Sequence, residues 1–475
     1  GGALDNVIEV VGAASLTLDG VTVRNGAGNG VNTTSGSVTV TSSSIIDNTG
    51  GGINTYGGNV DVTDSTIDGN SSTGINTYGG NVSVDGSTVT NNLGGGINTY
   101  SGNVLVDAST VNVNGGGGVN TSGGNIDVTD STIDGNSNTG INTNGGNVLV
   151  EGSTVTDSGD SGVNTSSGNI DVEDSTVSGN SDAGINTSSG DVSLDGSTVS
   201  DNGDNGIAVS SGNIDAVNST ISGNVDTNLY TGSGAIDLTN VTVADSLDGD
   251  GVANGGGSTT MLNTIVAGHG GEGADCSVAG TIGGGYNLDG DGSCPFGGAG
   301  NISNTDPLLG SLGNNGGPTQ TMALLAGSPA IDAGTNTGCP ATDQRGVSRP
   351  ANGTCDMGAY EGEGEVAPCE GQCTPTPTAT PITTVPARVK THTPTRTATP
   401  EATHTPPPAP TNTTVPVATL PGGRAAGAGA IRLPDTGSND DTAGGGAVTW
   451  ATMIGLALAG LSLAAVGRRR TRTAR

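Results

Sequence analysis

A stretch of 22 residues, Gly52 to Thr73 (GINTYGGNVDVTDSTIDGNSST), returns almost intact from Gly74, and again from Gly96, Gly118, Gly140, Gly162, Gly184 and Gly206. Each start lies 22 residues after the last, with no insertion. The frame extends back through Gly30 to Ile8 and forward, decaying, through Asn228 to about Asp250. A fixed period of this size marks stacked supersecondary units rather than one globular core. Each unit contains three strand-like pieces, Ile53 to Thr55, Asn59 to Thr63 and Ser65 to Ile67, separated by Gly, Asn, Asp and Ser. Val60 and Val62 stand two apart, as in a strand with one buried face, and nothing recurs at helical spacing.

Three strands and three turns in 22 residues make one coil of a parallel β-helix, adding about 4.8 Å of height. Roughly twelve coils between Ile8 and Gly271 then give an all-β rod on the order of 60 Å long. The expected hand is right, as for other parallel crossovers. Two columns of β-branched residues supply a dry interior: Ile53, Ile75, Ile97, Val119, Ile141, Val163 and Ile185 in one, Ile67, Val89, Val111, Ile133, Val155, Val177 and Val199 in the other. Asn48, Asn70, Asn92, Asn114, Asn136, Asn180, Asn202 and Asn224 form a turn column broken only by Ser158. Stacked amides bond to the coils above and below, so this column is expected to be an asparagine ladder.

Charge limits what such a rod can bind. Lys and Arg number 13 against 45 Asp and Glu, a net charge of −32, and Arg24 is the only Lys or Arg from Gly1 to Gly273. This surface repels nucleic acid and anionic membrane, which excludes both as partners of the rod. Asp61, Asp127, Asp171, Asp215 and Asp237 fall at outward strand positions, where they aid solubility and oppose lateral sheet pairing or take a divalent cation. One Phe and one Trp leave almost no aromatic platform; Tyr56, Tyr78 and Tyr100 align as a short external stack. The chain starts inside the repeat frame without Met or a signal peptide, the pattern of a fragment or processed form.

Chemical motifs inside the rod are sparse. Gly159-Asp160-Ser161-Gly162 has the letters of a serine-protease loop, but no His lies in the repeats to act as base. Right-handed β-helices occur among pectate lyases and polygalacturonases, and Gly268-His269-Gly270 resembles a short polygalacturonase motif. The Arg-x-Lys partner of that motif is absent, as are the basic residues a uronate lyase needs beside its calcium carboxylates. Paired carboxylates for glycoside hydrolysis stay open because Asp is everywhere. The Thr33, Thr55, Thr77, Thr99, Thr121, Thr143, Thr165 and Thr187 column would suit ice only if it faced outward. With the preceding Ile inward, Thr two residues on faces inward too.

From about Asn263 the text changes to GYNLDGDGSC (Gly285 to Cys294), Asp306 to Gly334, CPATDQRGVSRP (Cys339 to Pro350) and CDMGAYE (Cys355 to Glu361). Over about 100 residues this resembles the choice-of-anchor Q domain of secreted bacterial proteins, which follows β-helix repeats and precedes a surface anchor. The resemblance implies no established chemistry. The segment 263–362 is expected to close the open lower end of the rod. Cys276, Cys294, Cys339, Cys355, Cys369 and Cys373 all follow the repeats and suit up to three disulfides in an exported protein, sequence-order pairing being the expected arrangement. No His lies among them, which makes zinc the lesser reading. Asn287, Asp289 and Asp291 with Gly292 form the front half of a calcium loop, the sole cofactor suggested, although Gly298 stands where its last Glu belongs.

Residues 363–432 form a Thr/Pro-rich stalk, extended at about 3 Å per residue and on the order of 180 Å long, with hydroxyls for O-linked sugar. Then come Leu433-Pro434-Asp435-Thr436-Gly437, an apolar run 447–466 long enough for one bilayer span, and a basic tail 467–475. This order resembles the cell-wall sorting signal of LPXTG-anchored bacterial surface proteins. The resemblance implies sortase cleavage between Thr436 and Gly437 and transfer of Thr436 to a cell-envelope amine, with the span a temporary membrane holder. The expected protein is extracellular and wall-anchored, an acidic rod (1–262) with adhesive or structural function and a glycan or neighbouring surface as ligand. A β-helical polysaccharide lyase, hydrolase or carbohydrate-binding protein is the alternative.

Overall fold

The computed structural model describes residues 5–362 and the two-residue strand Ile431–Arg432. The stalk apart from that strand, the motif Leu433 to Gly437, the apolar run, the basic tail, Cys369 and Cys373 lie outside the described residues. Three parallel sheets wind together, each taking one strand per coil for thirteen coils. The first runs from Ile8–Val10 to Cys276–Val278, the second from Leu16–Asp19 to Gly283–Gly285, the third from Thr22–Arg24 to Leu288–Asp289. The short strand Ile431–Arg432 adds antiparallel to Ile8–Val10. Register follows the repeat: Ile53, Ile75 and Ile97 pair in the first sheet, Val60 and Val82 in the second, Ile67 and Val89 in the third. The third strand of the unit is Thr66–Asp68, one residue later than its sequence suggests.

The interior is a stack of identical layers. Ile53, Val60, Val62 and Ile67, with their counterparts above and below, have essentially no exposure and form one continuous cluster. Burying every layer against its copies is why short strands suffice, since each sheet is extended by the next coil. Thr55 and its column also point inward, and their hydroxyls serve the turn that follows: Thr77 Oγ1 donates to the Gly58 carbonyl at 3.2 Å, and the Gly80 N–H donates back at 3.1 Å. The bend from second to third sheet requires a left-handed residue, supplied by Asp64, Gly86, Ala108, Asp130 and Gly152 in turn.

The amide column is a buried ladder. Asn48 Nδ2 donates to Asn70 Oδ1 at 2.9 Å, Asn70 to Asn92 at 2.9 Å, Asn92 to Asn114 at 3.0 Å and Asn114 to Asn136 at 2.9 Å. It resumes at Asn180, Asn202 and Asn224. Each of these amides also bonds a carbonyl 25 residues back, as Asn70 does with Ile45 at 3.1 Å. A second ladder, running the opposite way on the outside of the first sheet, joins Asn32, Asn54, Asn76 and Asn98 through to Asn186.

The segment after the repeats divides in two. Residues 263–289 still belong to the sheets, and Ile282 with Phe296 and Leu288 with Ile302 form parallel bridges at the lower end. The remainder does not cap the rod but turns back along the flank of the third sheet. Thr319 Oγ1 donates to Gly196 O at 2.7 Å, Gln344 bonds Ser197, Thr198 and Thr220, and the Gly358 N–H donates to Asn263 O at 2.7 Å. Outward residues that are half-buried in earlier coils, such as Thr66 and Asp68, become buried where this arm lies, at Thr198, Ser200, Thr220, Ser222, Thr242 and Ala244. The physical reason is in the side chains: these positions carry no charge, so a covering segment costs little desolvation. Arg349 and Glu361, both buried and 3.0 Å apart, tie the arm to itself.

Candidate functional site

Side chains of distinct chemistry gather where the repeat fails, at the twelfth and thirteenth coils. The ladder position falls to Ser246 in the eleventh coil and to His269 in the twelfth. The column at Gly52 and Gly74 must stay small, because a Cβ there would meet the ladder amide within about 3 Å. Near the end this column changes, and its side chains replace the lost amides. Asn228 takes the Asn224 Nδ2 hydrogen bond at 2.7 Å, and Asp275 comes to 3.8 Å from His269 Nε2.

Asp275 is nearly fully buried. Its Oδ2 accepts the Gly290 N–H at 2.6 Å and the Asp291 N–H at 2.9 Å. Asp289, at an inward position held by Val266 one coil earlier, accepts the Cys294 N–H at 3.1 Å and the Asn304 N–H at 3.2 Å. Asp291 accepts the Ser293 N–H at 2.8 Å. The three carboxylates present oxygens all within 4.8 Å of one another. A disulfide between Cys276 and Cys294 clamps the two chain segments that carry them, and a second links Cys339 to Cys355.

This grouping differs from the one expected from spacing. Asn287 does not join Asp289 and Asp291: it is buried, donates to Met261 O at 2.9 Å and accepts the Thr264 N–H at 2.9 Å. As a strand residue next to Leu288, it alternates away from the loop that a calcium motif requires. Asp275 takes its place, brought there by coil stacking across 16 residues. Ser161 sits buried in a turn with its hydroxyl on Asp182 Oδ2 at 3.0 Å, and no His accompanies it. The tyrosines stack with ring centroids 5.1 and 4.9 Å apart.

Burial drives both buried groups toward neutrality. It lowers the His269 pKa to about 4, against the upward pull of Asp291 and Asp250. It raises Asp275 to about 7, where the Gly290 and Asp291 N–H groups hold it down and the Asp291 charge pushes it up. At neutral pH their 3.8 Å approach is therefore no ion pair. Burial also acts upward on Asp291, but hydrogen bonds from Ser293 and the Asp275 N–H outweigh it and leave the pKa low. Asp245, His269, Asp275, Asp291, Asp306 and Met322 help line a cavity of some 500 Å³ between the rod and the returning arm. Its carboxylates can accept hydroxyls or hold a cation, and its lining contains no Lys or Arg to hold an anion.

Sequence reasoning set His269 aside as a failed motif and never weighed Asp275. The available signal was positional, since both break columns that otherwise hold Asn and Gly.

No curated protein matches this sequence. Among solved structures, the periplasmic alginate epimerase AlgG is 13% identical, with 57% of this chain and 77% of that one covered and a TM-score of 0.43. Pectate lyase Pel9A is 15% identical over 69% and 88%, with a TM-score of 0.37. The A-module of Azotobacter vinelandii mannuronan C-5 epimerase AlgE4 is 14% identical over 57% and 86%, at 0.32. At these identities the likeness is one of architecture and says nothing about substrate. Residues 6–147 and 120–264 match the family described as right handed beta helix region, which together span more than half of the sequence, and the chain belongs to that family.

Proposed function

We propose that this protein is a surface-displayed acidic rod, adhesive or structural and without catalysis, fixed to the cell wall by sortase through Thr436. The observation that supports this most is the uniformity of the coils. From Val31 to Thr187 every strand recurs in register, turns stay short, and no inserted loop builds a groove. No Lys or Arg occurs between Arg24 and Arg345, so this face offers nothing to neutralise a uronate. Leu433 to Gly437, the apolar run and the arginine tail support the anchoring step, and the resemblance of residues 263–362 to choice-of-anchor Q domains supports display at a cell surface.

A second reading, processing of a polysaccharide at the same surface, draws on the cavity lined by His269, Asp275 and Asp291. The test is a glycan and polyuronate array with the full chain, with and without calcium, coupled to a product assay. Binding without turnover supports the rod, whereas released oligosaccharide or altered uronate overturns it. Anchoring is tested by incubation with a sortase and an amine acceptor: wild type should form the Thr436 adduct and T436A should not.

A further inference from the structure

Around residue 269 two hydrogen-bond acceptors face each other. The Ser246 hydroxyl donates to the Gly249 carbonyl and lies 2.8 Å from His269 Nδ1. A carbonyl only accepts, so the single hydroxyl proton belongs to Gly249. The contact to Nδ1 is then a hydrogen bond only if Nδ1 donates it. It is shorter than the 3.2 Å approach of the Ser246 N–H to the same nitrogen, and the shorter contact selects the Nδ1–H tautomer. Nε2 is thereby left as a bare lone pair, without a partner, on a side chain with no solvent exposure. It points at Asp275 Oδ1, 3.8 Å away, while both backbone donors to that carboxylate bind the other oxygen. Two acceptors so placed repel each other unless a positive centre lies between them.

We propose that His269 Nε2, Asp275 and Asp291, with Asp289 as a third carboxylate, form a site for a divalent cation of the zinc or manganese class. Bonds of about 2.0–2.2 Å to an imidazole nitrogen and a carboxylate oxygen span the 3.8 Å gap with the ion between them. The nitrogen ligand selects against calcium, which takes oxygen ligands. The chain from Nδ1–H to the Ser246 hydroxyl to the Gly249 carbonyl is the outer shell that fixes ring orientation in metal sites. Asp275 and Asp291 also line the cavity, which leaves one side of the ion open to a ligand. The site joins the twelfth coil to the thirteenth and does not depend on whether the rod is an adhesin.

The test uses the full chain, stripped with chelator and titrated with Zn²⁺ and, separately, Mn²⁺, with metal content measured after dialysis. One ion per chain is expected. H269Q and D275N should abolish uptake, and D291N, at a solvent-exposed position that the fold tolerates, should weaken it about tenfold or more. Spin-echo spectra of the Mn²⁺ form should contain a single nitrogen coupling that H269Q removes. In the stripped protein, ¹⁵N shifts should place the His269 proton on Nδ1. Absence of stoichiometric uptake, uptake unchanged in D291N, a missing nitrogen coupling, or a proton on Nε2 would each overturn the proposal.

Discussion

Replacing Ser158 with Asn should stabilise the protein, and the structure supplies the size of the gain. Ser158 is fully buried at the one gap in the amide ladder, and its hydroxyl has no hydrogen-bond partner. On one side Asn136 lacks the acceptor its column-mates use; on the other, Asn180 Oδ1 receives only the Ser158 N–H, at 3.1 Å. In the unbroken stretch, one amide accepts the preceding Asn N–H at 3.2 Å and its Nδ2–H at 2.9 Å. That amide then donates to the next Oδ1 at 2.9 Å and to a carbonyl 25 residues back at 3.1 Å. S158N restores this set between Asn136, Asn180 and the Ile133 carbonyl. Each buried hydrogen bond contributes roughly 1 kcal/mol net, and two of them share one oxygen. With an ordering cost of roughly 1 kcal/mol for the longer side chain, the expected gain is about 2 kcal/mol. Guanidinium unfolding would measure it, with hydrogen exchange at Asn136 and Gly159 to localise it, since coils can open separately. The gain must disappear when N136A is combined with S158N. A neutral or destabilising S158N, or a gain that survives N136A, would refute the account of the ladder.

Three further outcomes follow from the same structure. G145A and G146A should differ sharply although the residues are adjacent: a Cβ on Gly145 meets nothing within 4 Å, whereas one on Gly146 would lie 1.8 Å from the Gly124 carbonyl oxygen. Thermal unfolding should place G145A within about 0.5 kcal/mol of wild type and G146A about 3 kcal/mol or more below it. Q344A removes the acceptor for Thr220 Oγ1 at 2.6 Å and donors to Ser197, Thr198 and Thr319, and should cost about 2–4 kcal/mol. Limited proteolysis should then cut within residues 306–362, and an arm as resistant as wild type would contradict its role. Asp356 is raised to about 6, chiefly by burial, with Glu361 and Asp332 adding to it against hydrogen bonds from Asp332 and Gly362. Between its unfolded value near 4 and 6 the folded state holds the extra proton, so this group's stabilisation is present at low pH and lost as pH rises through 6. Denaturation from pH 4 to 7.5 should give a flatter profile for D356N, and identical slopes would exclude the assignment.

The rod was legible because one observation was repeated ten times over. A 22-residue period with Val60 and Val62 two apart leaves few ways to bury an apolar face, and the amide column at Asn48 and Asn70 has few uses other than stacking. The inward Thr column followed from the two-residue alternation after Ile53. What stayed hidden depends on contacts that no period announces. The returning arm has almost no regular strands, and its anchors, Gln344 on Thr220 and Asp356 on Asn240, join residues more than 110 positions apart. Its shadow was nonetheless written in the third sheet, where outward Asp68 and Asp134 give way to Ser200, Ser222, Ala244 and Ala267. The calcium-like spacing at Asn287 misled because a linear motif assumes a loop, and that residue is held in the last coil beside strand Leu288–Asp289.

Where unique chemistry can arise in such a molecule follows from the repeat itself. In a stack of identical coils any residue recurs about every 4.8 Å, so its charge and hydrogen bonds are distributed along a column rather than focused at a point. Eight outward asparagines from Asn32 to Asn186 illustrate this, each amide bonding its neighbour and none differing from the rest. A focused site needs neighbours that differ, and therefore a break in the columns. The breaks here cluster: the ladder Asn becomes His269, the Gly column gives Asp275, and the inward aliphatic column gives Asp289, all within 21 residues. The arm then folds back over this same region and encloses a cavity. The uniform coils set reach and surface charge, and the last two coils carry the only grouping among the described residues in which a buried imidazole meets three carboxylates. Decay of the repeat toward residue 250 thus marks the start of the part where side chains can act together, rather than the loss of a constraint.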